Sequence, residues 1–241
     1  MPRANRHFLP GYIWHITHRC HQQEFLLRFS RDRNCWIYWL YQATKRYGLC
    51  VLNYMVTSNH VHLLVKDSGY EVIPRSMQLV AGRTAQAYNQ RKSRKGAFWE
   101  DRYHATAVES GDHLARCLVY IDLNMVRAGT TQHPEEWQHC GYHEIQQQSF
   151  RYPIIDHAAL LDSLGFESIE FLQTTHRHWV DGEIGRENSR RRDPRWSESI
   201  AIGRQHYVDE FKRKLGHRAS GRKRISLDRG FQLKEVQTPY G

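Results

Sequence analysis

The stretch from residue 49 to residue 65 most limits what this chain can fold into. Two β-prone apolar runs, 49–56 and 60–65, are separated only by Thr57-Ser58-Asn59. Parallel strands need a crossover of a dozen residues or more, so a three-residue gap of turn formers predicts an antiparallel hairpin. Within its second strand, His60 and His62 are two residues apart and therefore share a face. Val61, Leu63 and Val65 take the other face and are expected to meet helices.

The flanking segments extend this unit. Tyr12 to His18 reads as a strand. Ser30 to about Arg46 reads as a helix ended by Gly48. Gln78 to Gln90 reads as a second helix, and Tyr103 to Val108 as a fourth strand. A further helix is expected from Asp112, as its N-cap, to Arg127, with Gly129 behind it. The order β-α-β-β-α-β predicts an α+β fold: a ferredoxin-like, split-βαβ antiparallel sheet (an RRM-like palm) with helices on one face and the other left open for substrate. Beyond Gly129, helices are expected near 156–173 and 197–215, giving a mainly helical, basic C-terminal extension.

Charge divides the 241 residues into three blocks. Residues 1–129 carry 18 basic and 9 acidic side chains, 130–176 one and seven, and 177–241 sixteen and nine. The blocks are expected to be a folded domain (1–129), an acidic connector packed on it (130–176) and a basic extension (177–241), the two basic blocks facing nucleic acid. A net charge of +10 favours a polyanionic partner. The five cysteines are scattered with no C-x-x-C pair, which suits reduced thiols rather than a disulfide scaffold. No apolar run is long enough to span a membrane, and the basic start, Met1 to His7, precedes no apolar signal core. A cytoplasmic location without membrane partners is expected.

His60-Val61-His62 suits two ligands of one divalent ion, but in a chain with 16 histidines about one H-x-H arises by chance. His176-Arg177-His178 is a second such triplet, outside any strand pattern, and is read as structural. Helix 112–127 has an apolar stripe (Leu114, Cys117, Leu118, Ile121, Met125) and a polar one (His113, Arg116, Tyr120, Asn124, Arg127). Tyr120 on the polar stripe is either a nucleophile or an amphipathic residue at the core's edge. Taken together, His60, His62 and Asn124 offer two nitrogens and one oxygen to a cation, with Tyr120 one helical turn from Asn124. A phenol needs such assistance to attack phosphorus at neutral pH.

In these residues the sequence resembles the single-tyrosine HUH transposases, most closely the REP-associated tyrosine transposases. The resemblance runs over about the first 145 residues: the strand motif Tyr54 to Val65, Tyr88-Asn89-Gln90-Arg91, Phe98 to Tyr103, Tyr120 to Gly129, Pro134 to Trp137, and Tyr142-His143-Glu144. It implies a catalytic Tyr120, a Mg²⁺ or Mn²⁺ site at His60, His62 and Asn124, and single-stranded or hairpin DNA as substrate. The family's substrates are short palindromic repeats in bacterial genomes, cut and rejoined through a 5′-phosphotyrosine. It also implies a monomer, with a homodimer as the alternative, associated with the nucleoid when on DNA. Met125 stands where relatives usually carry Pro, which predicts a local change of helix geometry.

DNA contacts are expected from Arg91, Lys92, Arg94, Lys95, Phe98 and Trp99, where cations adjoin aromatics, and from Arg102 and Arg127. Arg190-Arg191-Arg192, Arg195, Arg218 and Arg222-Lys223-Arg224 are further phosphate candidates or a solvated basic tail. The competing function is a non-catalytic hairpin-binding module built on an RRM-like sheet. A structural zinc protein built around His18-Arg19-Cys20-His21 is a third reading, lacking a second ligand pair.

Overall fold

A computed structural model describes residues 8–147, 152–186 and 192–235. The first half follows the expected order: β1 (Ile13–Arg19), α1 (Ser30–Tyr47), β2 (Cys50–Val56), β3 (His60–Lys66), α2 (Val72–Arg91), β4 (His104–Val108) and α3 (Asp112–Asp122). Gly48 closes α1 in the left-handed conformation that glycine adopts without strain. Helix α2 begins six residues before the expected start, taking Pro74 into its first turn, where a missing N–H is harmless. Gly111, rather than Asp112, occupies the cap position of α3. The expected helix to Arg127 is interrupted at Leu123 and resumes as α4 (Asn124–Arg127), next to the unusual Met125.

The connector supplies α5 (Tyr142–Gln146), α6 (His157–Leu164) and the start of α7 (Ile169–Ile184). The remainder supplies α8 (Arg195–Glu198), β5 (Ala201–Gly203), α9 (Gln205–Leu215), β6 (Arg222–Leu227) and β7 (Gly230–Glu235). Its helices accompany three strands that the sequence did not announce. Strand β6 reads Arg-Lys-Arg-Ile-Ser-Leu and buries little except Arg222, so it lacks the apolar alternation that marks a strand.

All strands form one sheet in the order β2-β3-β1-β4-β5-β7-β6. The first four positions are the split-βαβ order. Strand β5 then joins β4 in parallel, and β7 and β6 continue antiparallel. Trp14, Ile16 and His18 point to the face carrying α1 and α2: His18 stacks on Trp99, whose indole N–H donates to Ala81 O of α2.

The opposite face is not left open. Asn53 on β2 donates to Asp122 of α3 (2.9 Å), and the carbonyls of Trp196 and Ser199 bond side chains of β1 and β4. His15, Asn53, Leu64 and Thr106 on this face are fully buried. The polar side of this helix is covered as well, with Tyr120 beside Trp196 and Asn124 against His60 and His62, an arrangement that periodicity along a single helix does not reveal.

Candidate active site

The turn between β2 and β3 sets the first imidazole. Thr57 Oγ1 donates to His60 O (2.8 Å) and accepts from the backbone N–H of His60 (3.0 Å) and Asn59 (3.3 Å), closing the hairpin with a side chain. Asn59 Oδ1 lies 2.7 Å from His60 Nδ1. An amide oxygen only accepts, so Nδ1 carries the proton and Nε2 presents a lone pair.

The second imidazole is set by a relay. His15 Nδ1 lies 2.8 Å from Trp196 O, and a carbonyl likewise only accepts, so His15 is protonated at Nδ1. Burial holds His15 down to about 3 and pushes His62 well below the ordinary histidine value, so both rings are neutral. The other nitrogen of His15 is then an acceptor, and His62 Nδ1, 2.9 Å away, must be its donor. His62 Nε2 is thereby left with a lone pair. His60 is also neutral: burial first, then Arg19, Arg192 and Arg127, lowers it to about 4.

Both lone pairs meet one side chain. Asn124 Nδ2 lies 2.9 Å from His62 Nε2 and 3.4 Å from His60 Nε2. Tyr120, one turn earlier and 8% exposed, sets its ring edge-on to His62 (centroids 5.9 Å apart, 89°) and beside Trp196 (5.9 Å). The Arg127 guanidinium lies 4.2 Å over the Tyr120 ring and donates to Tyr120 O. Burial raises the Tyr120 phenol above its ordinary value, while Arg127 and then Arg192 act in the opposite direction.

Two neutral imidazole nitrogens and an amide that also carries an oxygen fit a divalent cation. Among the described residues, no three His, Cys, Asp or Glu side chains cluster as metal ligands, and the side chain that meets both imidazoles is the Asn124 amide. A three-donor set leaves positions open for substrate oxygens.

The structure brings His60, His62, Asn124, Tyr120 and Arg127 together. The basic segment after α2 is placed otherwise. Arg91 is ion-paired to the buried Asp32, and Arg94 donates to Ala97 O (2.8 Å). Phe98 is buried between Tyr88 and Trp99 and does not present its ring to a base; Trp99 is half-buried on His18. Lys92, Lys95 and Arg102 are exposed. Arg192 donates to Ser197 Oγ (2.9 Å) and Arg195 pairs with Asp193 (2.6 Å), whereas Arg190 and Arg191 lie outside the described residues.

Sequence reasoning missed His15 and Trp196. Strand alternation from His15 to Thr17, which pairs with His62, was the available signal for His15. Nothing local marks a backbone carbonyl 181 residues away. His176 is structural, as expected: its Nε2 lies 2.7 Å from Asp122 Oδ2 and its Nδ1 2.9 Å from Gln146 Nε2, both inside the protein.

Residues 11–124 match the family model described as "Transposase IS200 like". Among solved structures the chain is similar to a REP-associated tyrosine transposase bound to a REP hairpin, at 14% identity and a TM-score of 0.53, over 65% of this chain and 94% of that one. At that identity the likeness shows a shared fold. A putative transposase from Deinococcus radiodurans R1 also aligns, at 14% identity and a TM-score of 0.36, over 52% of this chain and 95% of that one. No curated protein matches the sequence. Among the described residues no helix is long and apolar enough to cross a membrane.

Proposed function

We propose that the chain is a metal-dependent DNA endonuclease and strand transferase acting on single-stranded or hairpin DNA through a 5′-phosphotyrosine, working as a monomer. The observation that carries this reading is the convergence of the two histidine lone pairs on Asn124 beside the ring of Tyr120. The REP hairpin bound by the structural relative supports a hairpin as the DNA.

The Tyr120 oxygen loses its proton and bonds to phosphorus, the bond to the 3′ oxygen breaks, and that oxygen leaves as a hydroxyl. Attack by another strand's 3′-hydroxyl reverses the exchange, so joining needs no nucleotide triphosphate. Arg127 favours the ionised phenol against the effect of burial. Trp196 and His62 hold the ring from two sides, restricting it to one approach. His60, His62 and Asn124 would hold Mg²⁺ or Mn²⁺, which when bound supplies positive charge to the phosphate oxygens. A pure binding module would have no use for two histidines whose tautomers are fixed with both lone pairs inward.

The test is a hairpin oligonucleotide carrying a repeat from beside the coding region, incubated with protein and Mg²⁺ and run on a denaturing gel. Wild type should form a covalent protein–DNA adduct. Tyr120→Phe should form none while still binding the hairpin. An adduct of undiminished yield from the Phe variant would falsify the assignment.

A further inference from the structure

The outer end of the extension contains a feature the active site does not use. The C-terminal turn of α9, the loop after it and the first residue of β6 border a shallow, open hollow of about 490 Å³ lined by Asp209, Lys212, Arg213, Gly216, Ser220 and Arg222, with Ala219 and Gly221. Arg222 is only 5% exposed, yet its Nη1 has no hydrogen-bond partner among the described residues. A buried guanidinium N–H without an acceptor is costly, and because Arg222 also lines the hollow a small shift of its side chain would bring that N–H to an anion there. Asp209, the one acidic residue of the lining, is ion-paired to Arg224. Among the described residues Lys212, Arg213 and Arg222 make no ion pair, although Glu235 lies opposite Arg222 on β7.

We infer that this hollow binds a phosphodiester of the DNA backbone, outside the segment being cut. The location suits that partner. Strand β6 is the outermost of the sheet, five strand spacings from β3, or roughly 24 Å at ~4.8 Å per spacing. That reach corresponds to about seven base-pair steps of a duplex at ~3.4 Å each. The free edge carries cations on both faces: Arg222 and Arg224 on the side of α9, and the exposed Lys223 on the other. A stem leaving the active site would meet this edge once it is long enough. Phosphate contacts of this kind position DNA without reading its sequence.

The inference rests on the proposed DNA chemistry, and its test separates the two. Full-length protein is titrated with fluorescent hairpins of short and long stem across a salt series. Lys212 and Arg213 are exposed, so K212A/R213A should leave the fold intact. On the long stem this variant should lower the slope of log affinity against log salt by about two, and R222Q by about one more. On the short stem all proteins should bind alike and form the adduct alike. An unchanged slope for K212A/R213A on the long stem, with adduct still formed, overturns the site alone. Absence of adduct from wild type on every hairpin overturns the catalytic reading, and the slopes still report on the hollow.

Discussion

Replacing His15 by Leu removes the relay that fixes the tautomer of His62 while keeping the position filled. The wild-type ring is fully buried, stacks on His62 with centroids 5.0 Å apart, and bonds at both nitrogens. In H15L the Trp196 carbonyl keeps a partner, Thr106 Oγ1 at 3.3 Å. The His62 Nδ1–H loses the one described here, and an orphaned buried donor costs about 1–3 kcal/mol. The ring can escape by moving its proton to Nε2, which withdraws the lone pair from a cation. The proton shift charges that energy to metal binding, equivalent to a loss of about 10–100-fold in affinity, because the cation requires the proton back on Nδ1. Gln at the same position can donate to Trp196 O and accept from His62, so H15Q should recover most of the affinity. The assay is calorimetric titration with Mn²⁺ on variants whose circular dichroism matches wild type. Folded H15L that holds Mn²⁺ within twofold of wild type refutes the relay.

Three further outcomes follow from the same geometry. His139 is buried, and burial, then Arg33, lowers it to about 4 from 6.5. Between those values the unfolded chain takes up a proton that the folded one refuses, so its contribution to stability is complete above pH 6.5 and is lost as pH falls toward 4. Wild type should lose about 2 kcal/mol more than H139Q between pH 7 and pH 5 in urea unfolding, and parallel curves would contradict this. His176→Leu leaves Asp122 buried with Asn53 as its described partner and should cost about 3–5 kcal/mol in the same assay; a loss under ~1 kcal/mol would mean that the pair contributes little. Gly141→Ala pushes a methyl against Asn53 Oδ1 and to 2.9 Å from Ile155 Cδ1, so a loss of about 1–3 kcal/mol is expected in thermal or urea melts, against none if the backbone there yields freely.

What could be read from residue order was whatever depends on short-range period. Spacing by two on a strand put His60 and His62 on one face, and spacing by four on a helix kept Tyr120 with Asn124 despite the break at Leu123. The three-residue gap fixed the hairpin, and the β-α-β-β-α-β order fixed the arrangement of the first four strands. What escaped were contacts made across the fold. His15 belongs to the site because β1 pairs with β3, and Trp196 because the extension returns over that face. The cation-rich β6 read as a tail since its partner, β7, satisfies its backbone while its side chains, Arg222 apart, stay largely outside. Phe98 looked like a stacking platform because neighbouring cations say nothing about which way a ring turns.

The parallel junction of β5 with β4 also bears on how this molecule can be dissected. A fragment ending at the last residue of the family match, Asn124, would lose Ala201 and Ile202 from the margin of β4 and the Trp196 oxygen from His15. Its raw β margin would invite pairing with a second copy, and His62 would no longer have its tautomer fixed through His15. The smallest piece worth purifying for enzymology therefore includes the β5–β7 segment, and a recombinant trimmed to the homology boundary tests a different object.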